Sequence, residues 1–130
     1  MRSCAALIAN LTPFRGPSTD VGTAYEIGFM RALGRPVFGY ATTAQRFTER
    51  TLNWIGRAAA CDEAGNWRDA ARMLVEDFGL FDNLMLDGAI SASGGLLVVA
   101  NLPEARWTDC TGFETCIRAA AELLVRIGAS

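Results

Sequence analysis

Two carboxylates stand out by their spacing. Asp20 and Glu26 lie six residues apart in Asp20-Val-Gly-Thr-Ala-Tyr-Glu26, directly after a loop carrying Pro13, Gly16 and Pro17. Asp20 stands where a helix begins and suits an N-cap, which leaves its remaining acceptor positions open to a ligand. Glu26 falls inside that helix among Tyr25, Ile27 and Phe29, so a partly desolvated carboxylate is expected. An ionised carboxylate in a partly dry hollow near a helix start is a good nucleophile for an electron-poor carbon. Gly22 and Gly28 flank the first turns and leave room where side chains would otherwise fill space. The pattern points to chemistry on a small polar molecule.

Other chemistries are excluded by composition. The chain has no histidine, which removes Ser–His and Cys–His nucleophile schemes. Cys4, Cys61, Cys110 and Cys116 follow no zinc-ligand spacing, so a metal is not expected and the cysteines read as structural, Cys116 as a small buried residue of a helix. An anionic cap at Asp20 repels phosphate, and neither G-x-G-x-x-G nor a P-loop lysine is present. The loop therefore favours an uncharged, hydroxyl-bearing ligand. Asn83 suits a helix cap or an amide hydrogen bond to a sugar. Arg15 reads as a surface residue.

The net charge is −2, and the twelve basic residues, all arginine, are scattered. No basic cluster is available for a nucleic acid polymer. No apolar run approaches the ~20 residues of a membrane span. The first residues lack the cleavage pattern of a signal peptide, so a cytoplasmic protein is expected. With 130 residues, 51% of them hydrophobic, one domain with a real core is the natural reading.

The elements that must hold these residues follow from patterning. Ala5 to Leu11 reads as a buried parallel strand. Val21 to Leu33 reads as a helix with Ala24, Ile27 and Met30 inward, stopped at Gly34. Pro36 to Tyr40 reads as the next strand, which makes a βαβ unit. Open α/β sheets place ligands where such a strand passes through a loop into a helix. Thr48 to Ala60 reads as a helix with Leu52 and Ile55 inward. After a turn at Gly65-Asn66, Trp67 to Phe78 reads as another, with Trp67, Ala70, Ala71, Leu74 and Phe78 on one face. A long excursion of this kind suits a lid or an interface. Asp82-Asn83-Leu84-Met85 opens a further helix ending at Gly94-Gly95, and Leu96 to Ala100 reads as a third strand. Thr111-Gly-Phe-Glu114 has the form of a capping box. It opens a helix with an apolar stripe at Phe113, Ile117, Ala120, Leu124 and Ile127.

Several stretches together resemble the nucleoside 2-deoxyribosyltransferase family. They are Ala9-Asn10-Leu11-Thr12-Pro13-Phe14-Arg15-Gly16-Pro17-Ser18, Asp20-Val-Gly-Thr-Ala-Tyr-Glu26-Ile-Gly-Phe, Gly34-Arg-Pro-Val-Phe-Gly-Tyr40, Glu76-Asp-Phe-Gly-Leu and Asp82-Asn83-Leu84-Met85. The resemblance implies a flavodoxin-like (Rossmann-like) three-layer α/β fold with a parallel sheet. It implies exchange of the base on a 2′-deoxynucleoside, with Glu26 as the nucleophile that holds a covalent deoxyribosyl intermediate. Asp20 and Gly22 would bind substrate. Met85 would bind substrate too, and Asn83 would contact the sugar hydroxyl in a neighbouring subunit's site, which implies a homo-oligomer. The implied partners are a deoxynucleoside and a free nucleobase, without metal or organic cofactor.

The resemblance also has a gap. Family members normally begin with a strand–helix–strand portion bearing a Tyr-x-Ala-Gly-Pro-like turn, for which this sequence has no counterpart. Residues 1–130 thus read as the C-terminal two-thirds of the family fold. Two other readings stand beside base exchange. One is an N-glycoside hydrolase of deoxynucleosides or deoxynucleotides, with Asp20 favouring unphosphorylated substrates. The other is a catalytically silent module that binds nucleosides or further subunits.

Overall fold

The computed structural model describes residues 1–128. Its first strand, β1 (Leu7–Asn10), leads through the loop into α1 (Val21–Ala32) and then β2 (Val37–Ala41). Next come α2 (Phe47–Ile55), a 3₁₀ turn at Gly56–Ala58 and a short antiparallel hairpin, β3 (Ala60–Cys61) with β4 (Trp67–Arg68). The chain continues through α3 (Leu84–Ala92), β5 (Leu97–Val99) and α4 (Thr111–Gly128).

The main sheet has the order β1-β2-β5 and is parallel throughout. Leu7 stands opposite Val37, and Gly39 opposite Leu97. Parallel strands need crossovers that lie on the sheet faces, so both faces are covered. On one face, α1 and α3 bury Ile27, Met30, Leu86 and Ile90 against Ala9, Leu11, Val37 and Ala41. On the other, α4 packs Cys116 and Ala120 on Phe38, with Ile8, Tyr40 and Val98 around them. The result is the expected three-layer, flavodoxin-like α/β arrangement. Ile27 and Met30 are fully buried, each worth about 2 kcal/mol of apolar burial.

At Gly95 the backbone comes so close to β2 that an added Cβ would stand 1.8 Å from the Val37 carbonyl oxygen. Only glycine allows β5 to begin there. Ser93 seals the same junction by accepting from Val37 N at 2.8 Å.

Four expectations need correction. Trp67 to Phe78 is not a helix. Asp62 accepts from the backbone N–H groups of Ala64 and Asn66 and from the Arg68 side chain. Asp69 accepts from Met73 N, and Arg72 adopts a left-handed φ of 65°. These local side-chain bonds outcompete a helix and fold the stretch into a hairpin and turns. Consequently Leu74 and Phe78 are exposed.

The helix expected from Thr48 to Ala60 ends at Ile55, because Gly56 takes a φ of 65°. Its buried positions are Thr48 and Arg50, with Leu52 and Ile55 only half-buried.

The stripe of α4 is rotated from expectation. Phe113, Ile117 and Ile127 are exposed, while Cys116, Ala119, Ala120 and Leu123 face the sheet. Small residues there let the helix axis approach Phe38 and Tyr40 closely, and that gain outweighs burying larger side chains. The helix is capped by Asp109 rather than by a box at Thr111: Asp109 accepts from both the N–H and the hydroxyl of Thr111.

Finally, Cys116 is fully buried as expected, but Cys4, Cys61 and Cys110 are exposed. They lie in the N-terminal segment, the hairpin and the loop before α4, none of which is covered by another layer.

Candidate active site

The loop from Leu11 to Asp20 leaves the C-terminal end of β1 and delivers the chain to α1. Its start is stitched to the neighbouring strand end. Leu11 N donates to Tyr40 O at 2.8 Å, and Thr42 N donates to the Thr12 hydroxyl at 3.1 Å. Asp20 then caps α1, accepting from Gly22 N at 3.0 Å. A Cβ on Gly22 would stand 3.0 Å from Asp20 Oδ2, so glycine keeps that carboxylate where the cap needs it.

Glu26 is exposed, against the partial desolvation expected. The reason is helical phase. Ile27 and Met30 face the sheet, and Ala24, Ile27, Gly28 and Arg31 line the side of α1 toward α3. Glu26 is turned about 100° from Ile27 and away from that side. Among the described residues its carboxylate has no hydrogen bond or ion pair.

Asn83 caps α3, its Oδ1 accepting from Met85 N at 3.0 Å and Leu86 N at 3.3 Å. Met85 is 77% exposed. Both residues border a cleft of about 500 Å³ between α1 and α3. The chain therefore brings Asp20, Gly22 and Glu26 together on one helix start and Asn83 and Met85 together on another. Glu26 is not part of the lining of the cleft that Asn83 and Met85 border.

Sequence reasoning missed the residue that joins these two helix starts. Asp82 is completely buried. It accepts from the Ser18 hydroxyl at 2.5 Å, from Thr19 N at 2.8 Å, from the Thr19 hydroxyl at 2.9 Å and from Asn83 N at 2.8 Å. Arg50 approaches it at 3.4 Å and also donates to the carbonyls of Pro17, Gln45 and Phe81. Burial pushes the Arg50 pKa down, and Asp82, then Asp87 and Glu49, oppose that shift. Asp87 accepts in turn from Phe81 N and Asp82 N, and its carboxyl is pushed up, chiefly by burial. The signal available in sequence was Asp82 beside Asn83; its buried partner Arg50 lies on an element whose inward face was misjudged.

Among the described residues no cluster of three or more metal-ligating side chains occurs, and no helix is long and apolar enough to cross a membrane.

The family model described as nucleoside 2-deoxyribosyltransferase matches residues 1–85. The chain belongs to this family. The match spans β1, the loop, Asp20, Glu26 and the start of α3 with Asn83 and Met85. A relative from the fission yeast Schizosaccharomyces pombe, described as uncharacterized, is 34% identical over 110 residues, which cover 76% of this chain and 51% of the relative. The chain thus spans about half the length of the curated relative it matches. No solved structure matches.

Proposed function

We propose that this nucleoside 2-deoxyribosyltransferase family member exchanges the base on 2′-deoxynucleosides through Glu26. The observation that carries the reading is the family match over the segment in which β1, the loop and α1 present Asp20 and Glu26 on one helix start. The Glu26 carboxylate attacks C1′ of the sugar, and the C–N bond breaks as the base leaves with the electron pair and takes up a proton from solvent. An acceptor base then attacks C1′ from the vacated side, gives up its ring N–H proton to solvent, forms the new C–N bond and displaces the restored Glu26 carboxylate. The transition states carry oxocarbenium character, as in retaining glycoside transfer. Asp20 holds the sugar and the reacting groups, and Gly22 leaves the space.

The site is completed in a homo-oligomer. Asn83 and Met85 border the cleft between α1 and α3, and Met85 is exposed, which supports a reading in which Asn83 reaches a neighbouring copy's site and Met85 contacts substrate. In that assembly the exposed face of α1 becomes a wall of the pocket. Residues 1–130 act as one domain.

Hydrolysis is the second reading, favoured by the exposure of Glu26, which gives water access to a glycosyl ester. One assay separates the two. A deoxynucleoside is incubated with and without an acceptor base, and products are resolved by chromatography. Exchange gives a new nucleoside only with acceptor; hydrolysis gives equal free base in both. Glu26→Ala should lower turnover by about four orders of magnitude or more. A wild-type chain without turnover would leave only a binding module and refute the reading.

A further inference from the structure

Asp82 is buried completely, yet the reaction proposed above gives it no part. Stability alone is a poor reason to keep a charge there. A carboxylate buried beside a guanidinium pays desolvation, and well-packed apolar side chains of similar volume often hold a fold as well or better. What only a carboxylate supplies is about four acceptor positions on one small rigid group. Here those positions are filled from two separate segments. The loop before α1 brings the Ser18 hydroxyl, the Thr19 N–H and the Thr19 hydroxyl, at 2.5, 2.8 and 2.9 Å. The start of α3 brings the Asn83 N–H at 2.8 Å.

The chain positions of these donors matter. Thr19 directly precedes Asp20, and Asn83 directly follows Asp82. Peptide units are planar, so a bonded N–H fixes the backbone around it. One carboxylate therefore sets the backbone at Asp20, the cap of α1, and at Asn83, the cap of α3. The Thr19 hydroxyl also lies 3.1 Å from Leu11 O, where the chain leaves β1, which closes the base of the loop.

Asp82 is itself pinned. Arg50 stands 3.4 Å from its Oδ2 and lies over the Phe81 ring, 4.5 Å from the centroid. The three guanidinium nitrogens donate to the carbonyls of Pro17, Gln45 and Phe81, which lie after β1, after β2 and before α3. Asp87, in the first turn of α3, accepts from Asp82 N at 2.8 Å.

We infer that Asp82 is a positioning residue for two sites at once. It sets Asp20, and through α1 Glu26, in its own chain, and it sets Asn83 for the neighbouring copy. The inference rests on the roles given to Glu26 and Asn83 above and adds what holds both in place. A misplacement of about 1 Å at the reacting groups costs about a hundredfold in rate. Asp82 touches no reacting atom, so losing it lowers kcat and kcat/KM together and leaves KM near its wild-type value.

The test uses point variants of the full chain. Thr19→Val keeps the Asp82–Arg50 pair and removes one hydroxyl donor to the carboxylate; it should lower kcat about tenfold with KM within about twofold of wild type. Thr19→Ser restores the hydroxyl and should recover most of that loss. Asp82→Asn should lower kcat about a hundredfold; where it does not fold, Thr19→Val and its rescue decide. Cys116→Ala is the control. It loosens the packing of α4 on the other face of the sheet and should keep wild-type kcat. Amide relaxation adds a readout that needs no turnover. In Thr19→Val the N–H groups of Asp20 and Gly22 should lose order, and those of Asn83 and Met85 with them; Cys116→Ala should disturb neither set. Three results overturn the inference: wild-type kcat in Thr19→Val, an equal loss of kcat in Cys116→Ala, or undisturbed Asn83 and Met85 amides in Thr19→Val. The two readings fail separately. Turnover that needs Glu26 but neither Thr19 nor Asp82 sinks the inference alone; joint loss of order at Asp20 and Asn83, in a protein whose wild type has no turnover, sinks the Glu26 reading alone.

Discussion

Asp82→Asn should be the most damaging single-atom change near the site. Asp82 is fully buried and receives four hydrogen bonds of 2.9 Å or shorter. It also neutralises Arg50, whose side chain is 7% exposed. An asparagine turns one of the two oxygens into a donor that faces other donors, and it leaves the guanidinium buried without a counter-charge. Removing one partner of a buried ion pair costs about 3–5 kcal/mol. Both groups are out of water, so solvent screening does not reduce that figure. For a chain of this length each kcal/mol lowers the melting temperature by about 4 °C, which gives a drop of about 12–20 °C. Ser18→Ala removes one hydroxyl donor and leaves the charge paired, so it should cost about 1–2 kcal/mol. Urea unfolding followed by circular dichroism measures both. Hydrogen exchange adds a local readout, because Thr19 N–H should lose its protection in Asp82→Asn. A loss under about 1 kcal/mol, with Thr19 still protected, would refute the claim that this carboxylate ties the loop to α3.

Two further outcomes follow from the ionisable groups. A thiol-reactive disulfide should modify Cys4, Cys61 and Cys110 quickly and Cys116 only after unfolding, because burial pushes the Cys116 thiol up and its Sγ lies on the Gly39 carbonyl at 3.3 Å; four thiols reacting at one rate would contradict the packing of α4. The Asp62 carboxyl is held down at about 2, first by Asn66 N–H and then by Arg68. The folded pKa lies below the unfolded one, so the support Asp62 lends the hairpin is present above its ordinary value of 3.8 and lost as pH falls toward about 2. Carboxyl-carbon resonances in an acid titration check this, and Arg68→Gln should raise the value only part-way, since the larger cause remains.

Sequence patterning determined the alternation of the sheet and its covering helices. Val21 to Ala32, Val37 to Ala41 and Leu84 to Ala92 formed close to where apolar spacing, Gly stops and cap residues placed them. Asp20 and Asn83 cap their helices, because a cap is a local bond between a side chain and the next two or three N–H groups. Loop order and motif spacing are local too, which is why the family could be read from residues alone.

What the sequence left open depends on partners far along the chain. Asp82 meets Ser18 and Thr19 across more than sixty positions and Arg50 across thirty-two. No periodicity announces such a contact. The inward face of α4 was set by how closely small residues let it approach Tyr40 and Phe38, not by where its largest apolar residues fall. The stretch after Trp67 has helical spacing, yet Asp62 and Asp69 spend their oxygens on backbone N–H groups and fold it otherwise. The exposure of Glu26 was likewise decided in three dimensions. Residue types fix which chemistry is possible, but the turn of α1 against α3 fixes which side of the helix that chemistry faces.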